Sequence, residues 1–303
     1  MAQRLRIGII GCGVIAPAHV ESYQKLDDVE VVWACDKEEP KAAALAEQYG
    51  IPKVGTDYRA VLANGDVDAV SVCTDHASHA PISVAAIEAG KHVLCEKALA
   101  AVAAGLDEMF AAHARHPDCI FAGVFQHRFD SAIQYLKELV DGDAFGRIVT
   151  AGVQVRCYRG PEYYRKDAWR GTWAEEGGAV VINQAIHFID SLCWVMGGVE
   201  AIAGRFANLT HGDCIETEDT AVAALRFRRG ALGTLEATSS SHFGWETTLA
   251  IHGAEGGVEL RQGQAMKVDF RDETKQAEIR EEFARRHDAK TIEAGKSYYG
   301  PSH

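Results

Sequence analysis

The chain has 303 residues, 47% hydrophobic and 24% charged, which suffices for two moderate domains with substantial cores. Its 31 Lys+Arg against 43 Asp+Glu give a net charge of −12 with no basic block, which argues against a nucleic-acid surface. No uninterrupted apolar segment is long enough to span a bilayer, and no leader precedes the first strand, so the expected location is the cytoplasm, without membrane partners.

The stretch RIGIIGCGVIAPAHV, residues 6–20, opens the fold. Ile7 to Ile10 read as a buried strand, since β-branched residues interrupted only by Gly8 leave no polar face. Gly11 then permits a tight turn, and Gly13 lets backbone N–H groups approach a pyrophosphate. A helix beginning at Val14 and Ile15 directs its partial positive charge there, with Ala16 at the third glycine position. A second strand, Val29 to Cys35, ends in Asp36, about 20 residues beyond Ala16 and at the interval expected of a ribose-binding acid. A carboxylate there binds a ribose diol and repels a 2′-phosphate, so the cofactor expected is NAD. Lys37 offsets part of that repulsion and leaves NADP possible.

The alternation continues through a helix near 40–49, a short strand at 53–54, a helix from Tyr58, the strand AVSVC at 69–73 and a helix from about His79 to Ala89. HVLCE at 92–96, a long helix near 101–116 and IFAGVF at 120–125 complete the series. Such a series builds a doubly wound parallel sheet with helices on both faces, whose ligands lie beyond the carboxyl ends of the strands. Asp36, Thr74, Glu96, Lys97 and Gln126 stand there as candidate cofactor residues. This defines residues 1–125 as a dinucleotide-binding Rossmann domain.

After a helix at 131–140 the rhythm changes to successive strands at 148–157, 201–207, 220–228, 231–238, 247–253, 257–261 and 266–270. They predict an α+β domain over 126–303 with a mostly antiparallel, open sheet. One face is expected under helices, the other against a second subunit or solvent. Eight cysteines, at 12, 35, 73, 95, 119, 157, 193 and 214, lack C-x-x-C or metal-ligand spacing. They read as small buried residues in a reducing compartment, with neither disulfides nor a metal site.

One helix carries most of the chemistry. In EEGGAVVINQAIHFIDSLCWVMGG, Asn183, His187 and Asp190 fall at i, i+4 and i+7, a polar stripe on an element otherwise apolar on most sides. Such a stripe needs partners or a ligand. His187 is either a functional group or a core histidine satisfied by Asp190. Zinc fits poorly, because Asn is a weak ligand for that metal.

Taken together, GCGVIA, ASHAPISVAAIEAGKHVLCEKALA, FQHRF and GGAVVINQAIHFIDSLCWVMG resemble the Gfo/Idh/MocA family of glucose-fructose oxidoreductases, inositol dehydrogenases and rhizopine-catabolism proteins, from residue 4 to about 270. The resemblance implies that Lys97 and His187 are the catalytic pair, that Asn183 takes the site of a frequent family Asp, and that Glu96, Thr74 and His79 line the cofactor. It also implies a substrate-side loop at YYRKDAWRGTW, 163–173, as in members acting on sugars and nucleotide sugars. There Trp169 offers a flat face and Arg170 a planar fork for an anionic or nucleotide-linked sugar, the alternative being an ordinary surface loop in which Asp167, Glu175 and Glu176 pair with its cations. Ala98 stands where the family has Pro after Glu-Lys, so a ring that fixes the backbone beside Lys97 is missing. Ala179 replaces a third glycine. The family's chains also continue past the end of this one, and the charged stretch at 272–290 reads as a solvated helix or a lid.

The expected activity is hydride transfer between a nicotinamide and a secondary alcohol of a sugar, nucleotide sugar or polyol, by a homodimer or homotetramer. Two other classes stay open: a non-catalytic NAD-binding regulator or degenerate paralogue, and an NAD-retaining glycosidase or epimerase.

Overall fold

A computed structural model describes residues 4–242 and 245–291. Its first half is organised by short apolar runs, of which residues 7–10 and 69–72 are buried throughout. β1 (Leu5–Ile10), β2 (Val29–Cys35), β3 (Lys53–Gly55), β4 (Ala69–Val72), β5 (His92–Cys95) and β6 (Phe121–Gly123) form one parallel sheet in the order β3-β2-β1-β4-β5-β6. Helices α1 (Ala16–Tyr23) and α2 (Glu39–Tyr49) bury Ala16, Val20, Ala42 and Leu45 in one core with Ile7 and Ile9. On the other face α3 (Tyr58–Leu62), α4 (His76–Glu88) and α5 (Ala103–Arg115) bury Val61, Ile82, Ala86 and Met109 against Val70, Val72 and Val93. Gly8 is required for this closeness, since a Cβ there would lie 2.8 Å from Val61 Cγ1. The strand order reverses between β1 and β4, so the loops after Ile10 and Val72 flank the crevice where such sheets take ligands.

The chain divides into two units, one running to Val124 and including Trp173–Gly177, the other made of Phe125–Thr172 and the chain from Gly178 onward. The returning segment is stitched into the first unit by Ala77 N donating to Glu175 O at 3.0 Å, and by His76 Nδ1 at 2.8 Å from Glu176 O.

The second unit holds α6 (Ser131–Asp141), β7 (Ile148–Arg156), a short α7 (Pro161–Arg165), α8 (Ile186–Met196), β8 (Val199–Ala207), β9 (Thr220–Phe227), β10 (Leu232–Thr238), β11 (Glu246–Gly253), β12 (Gly256–Arg261), β13 (Gln264–Phe270) and α9 (Glu273–Thr291). Its seven-stranded sheet has the order β13-β12-β11-β7-β10-β9-β8. Every pairing is antiparallel except β7 with β10. Helices α6, α8 and α9 cover one face, where Leu136, Leu192, Met196, Ile279 and Phe283 pack on Val153, Phe227, Leu235 and Ile251. The 272–290 stretch is therefore no lid: Ile279 is 3% and Phe283 5% exposed within this core. On the opposite face Val222 and Leu232 stay exposed among Ala224 and Thr234.

Two boundaries differ from the sequence expectation in ways that affect the site. Helix α1 starts at Ala16 and not at Val14, with Pro17 in its first turn. Helix α4 starts at His76 and not near His79, because Asp75 caps it by accepting from Ser78 N. His79 therefore lies within the helix, with its ring fully buried.

Candidate active site

In the first unit the turn after β1 is fixed by close packing. Gly11 has φ +92°, and a Cβ on it would fall 2.6 Å from the backbone of Cys73. A Cβ on Gly13 would meet nothing within 4 Å. Ile15, at the N-cap of α1, makes no side-chain cap bond, and Val14 beside it is exposed. Free N–H groups and open space at a helix start suit a phosphate. Asp36 holds the turn from the next strand, with Oδ2 accepting from Cys12 N at 2.8 Å and Oδ1 from Glu38 N at 2.9 Å. Lys37 is exposed. The residues expected to cradle a dinucleotide thus fit it in conformation, space and donor supply. Burial and the neighbouring Asp36 push the Cys12 thiol up to about 12, so it stays protonated beside the turn.

Lys97 follows β5 and is partly buried. Its backbone N–H donates to Glu96 Oε2 at 3.1 Å, while Glu96 Oε1 lies 2.9 Å from His19 Nε2 on α1. Glu96 and His19 are both buried, 5% and 4% exposed. The Lys97–Ala98 peptide is cis. His79 does not line a cofactor: its Nδ1 lies 2.6 Å from Ala98 O and its Nε2 3.1 Å from Thr74 O, and none of the residue is exposed. Thr74 turns its hydroxyl to Asp75 O at 3.3 Å. His19 was not among the expected residues. Its signal was a histidine on the face of α1 that also buries Ala16 and Val20.

In the second unit the polar stripe is interrupted. A π-helical turn, Val180–Gln184, precedes α8, so Asn183 sits on that turn and His187 in the first turn of α8. Glu218 fastens the turn by accepting from Ala179 N at 3.0 Å and Val181 N at 3.0 Å, a buried carboxylate at a helix start. The stripe's third member belongs elsewhere: Asp190 receives both Arg128 Nε at 2.7 Å and Nη2 at 2.6 Å. His187, the stripe's central member, is only partly buried. Its ring meets His127 edge-on at 5.4 Å, and His127 stacks on Phe188 with Nδ1 2.6 Å from Asp130 Oδ2. Gln126, just before His127, has its side-chain Oε1 buried without a hydrogen-bond partner among the described residues.

Arg170, expected as a fork for substrate oxygens, is engaged within the loop. Its Nε donates to Asp167 Oδ2 at 3.0 Å and its Nη1 to Tyr163 OH at 2.6 Å, and its guanidinium carbon lies 4.4 Å from the ring centre of Tyr163 and 4.5 Å from that of Trp169. Tyr163 is the hub: its hydroxyl also accepts from Asn183 Nδ2 at 3.4 Å and Gln184 Nε2 at 3.1 Å. Arg170 thus reaches Asn183 only through Tyr163.

Comparison with known proteins agrees with this arrangement. Residues 5–124 match the oxidoreductase family with the NAD-binding Rossmann fold, and residues 133–259 match the Gfo/Idh/MocA C-terminal domain. The chain is 29% identical to myo-inositol 2-dehydrogenase of Thermotoga maritima over 84% of its length and 74% of that protein. It is 31% identical to D-glucoside 3-dehydrogenase of Escherichia coli over 88% of its length and 74% of that protein. Its structure resembles that of the WlbA dehydrogenase from Bordetella pertussis in complex with NADH and UDP-GlcNAcA, with TM-score 0.84 and 30% identity over 89% of this chain and 83% of that one. With its NAD-binding parallel sheet, its mixed second sheet and relatives over most of its length, the chain belongs to the Gfo/Idh/MocA family of oxidoreductases.

Proposed function

We propose that this enzyme oxidises a secondary alcohol of a nucleotide-linked sugar, and that Lys97, His187 and Asn183 are its working groups. The observation that carries the proposal is the construction around Lys97: a lysine at the carboxyl edge of a dinucleotide-binding sheet, with buried polar groups fastening the chain on both sides of it. Bound NAD supplies the acceptor for the carbinol hydride. Lys97 donates hydrogen bonds to the reacting oxygen and holds it in register. His187 takes the hydroxyl proton, since imidazole titrates near neutrality. Asn183 cannot take that proton; its amide orients the hydroxyl and is itself placed by Tyr163 OH. Gly11, Gly13, Val14, Ile15, Asp36 and Lys37 form the cofactor cradle, Thr74 and Glu96 stand at strand ends of the same unit, and Gln126, which follows β6 in the sequence, is a further cofactor contact.

Support for the substrate class comes from the loop at 163–173, where Arg165 and Lys166 are exposed beside Trp169, and from the UDP-GlcNAcA bound by the Bordetella pertussis relative. The open sheet face, with Val222 and Leu232 exposed, supports a homodimer or homotetramer joined there. Among the described residues no helix is long and apolar enough to cross a membrane, and the free cysteines suit the cytoplasm. The deciding experiment follows NADH formation with UDP-sugars, free aldoses and inositols. UDP-sugars are expected to give the highest kcat/KM. Preference for a neutral polyol overturns the substrate class, and NADH binding without turnover of any of them points to a regulator.

A further inference from the structure

Lys97 is bracketed along the chain by two buried groups. Before it stands Glu96, whose carboxylate accepts the Lys97 backbone N–H at 3.1 Å and is steadied by His19. After it stands Ala98, whose side chain fixes nothing; its carbonyl oxygen lies 2.6 Å from His79 Nδ1. The same ring places Nε2 3.1 Å from the carbonyl oxygen of Thr74. One imidazole therefore spans the loop after β4 and the loop after β5. Both partners are carbonyl oxygens, so only ring N–H groups can satisfy them. Burial holds the His79 pKa below the ordinary histidine value, against the opposing pull of the two backbone carbonyls and of Glu96 and Asp75. Of the two contacts the shorter, Nδ1 to Ala98 O at 2.6 Å, is the one a ring with a single N–H makes. An apolar side chain at 79 would leave the Ala98 carbonyl without this donor.

We propose that His79 is a positioning residue for Lys97: its ring anchors the Ala98 carbonyl to the start of α4 and so fixes the direction in which the lysine side chain leaves the sheet edge. This rests on the reading of Lys97 as the residue that holds the reacting oxygen. His79 touches no ligand, because it is wholly buried. The structure thus supplies by a side-chain brace what a proline ring at position 98 would supply covalently.

The test compares the full-length wild type with His79→Ala and His79→Gln, the second retaining an N–H donor. Lys97 is labelled with pyridoxal phosphate and borohydride and quantified by peptide mass spectrometry. Lys91 of the same unit, whose Nζ donates to Asn64 O at 3.0 Å and Val67 O at 2.7 Å, serves as the internal reference. In His79→Ala, Lys97 is expected to label at least about threefold faster with Lys91 unchanged. The kcat on the substrate that wild type turns over is expected to fall at least about tenfold at constant NADH affinity, as for a small misplacement of a reacting group. His79→Gln is expected to recover at least half of both effects. The inference is overturned if Lys97 and Lys91 labelling rise together, if NADH affinity falls in step with kcat, or if neither labelling nor kcat changes. Should His79→Ala fail to fold, His79→Leu, which keeps side-chain bulk but has no N–H, takes its place: faster Lys97 labelling with Lys91 unchanged supports the brace, and wild-type labelling overturns it. The labelling arm needs no turnover, so a wild type inactive on every sugar overturns the proposed function and still leaves His79 tested.

Discussion

The two polar clusters of the molecule are built from different materials. Around Lys97 many of the partners are backbone atoms: Lys97 N, Ala98 O, Thr74 O and, at the neighbouring turn, Cys12 N and Glu38 N. Around Asn183 the partners are side chains, Tyr163 OH, Gln184, Arg170 and Asp167, and the ring of His187 likewise meets the ring of His127. Backbone groups persist through substitution, so the first cluster is inherited with the fold. A side-chain cluster is rewired by a single replacement. On the proposed reading, cofactor chemistry belongs to the first cluster and substrate choice to the second.

The strongest way to break this division is to remove the proposed proton acceptor from the side-chain cluster. His187→Ala is expected to lower kcat by about 100- to 10,000-fold, the usual range for a general base, and to leave NADH affinity unchanged in a binding titration. An equal loss of NADH affinity would assign His187 to the cofactor side.

A smaller effect is expected from the backbone-built cluster. Asp36→Ala should weaken NAD by about 1.5–3 kcal/mol, roughly 10- to 150-fold in Kd. NADP should suffer less. The structure sharpens the measurement, because Asp36 also accepts the Cys12 N–H. Loss of that bond loosens the turn for both cofactors, so the difference between them, and not either value alone, reports contact with the ribose. Equal weakening leaves Asp36 a brace of the turn only.

Acid stability separates support from chemistry within the second unit. Burial pushes the Asp219 carboxyl up, but Leu209 N, His211 and Thr210 outweigh it and hold the pKa well below the usual aspartate value. A depressed folded-state pKa gives stability that is present above the unfolded value of 3.8 and is lost as pH falls through the acid range below it. Asp219→Asn should therefore cost about 1–3 kcal/mol at neutral pH and flatten the acid limb of a urea-midpoint profile. An unaltered acid limb would mean that other carboxylates govern it.

The parallel sheet was legible because residues 7–10 and Ala69–Val72 are buried throughout, and such a run has few alternatives. The open sheet was legible for the same reason in reverse, from turns such as RRGA between alternating strands. The π-turn at Val180–Gln184 was not legible, since apolar spacing alone does not reveal an extra residue in a helical turn. It displaced Asn183 from the row it was assigned to. Partner choice was equally hidden: nothing local shows that Asp190 takes Arg128, 62 residues away, or that Glu218 closes a turn 39 residues upstream. Lys97 was singled out by its strand end and His187 by the polar stripe, their pairing came from resemblance alone, and His79 was assigned to the cofactor because sequence shows position and not burial.

The finest distinction lies between Arg170 and Tyr163. The loop's composition favours Arg170 as an anion fork, but its Nε and Nη1 are committed to Asp167 and Tyr163 OH. If Arg170 acts only through Tyr163, then Tyr163→Phe and Arg170→Ala remove parts of one chain of contacts. Each should raise KM by about 2- to 12-fold, the worth of about 0.5–1.5 kcal/mol of net hydrogen bonding. Their double variant should cost no more than the larger single change, because a shared network is not additive. The effect should also be the same for a UDP-sugar and for a neutral sugar, since Asn183 orients a hydroxyl that both possess. A different pattern would reverse the assignment: Arg170→Ala raising KM selectively for the UDP-sugar, and adding fully to Tyr163→Phe, requires the guanidinium to leave Asp167 and grip the ligand. Steady-state KM values for the four proteins on two substrates distinguish the cases, because only direct contact makes the cost depend on the charge of the sugar.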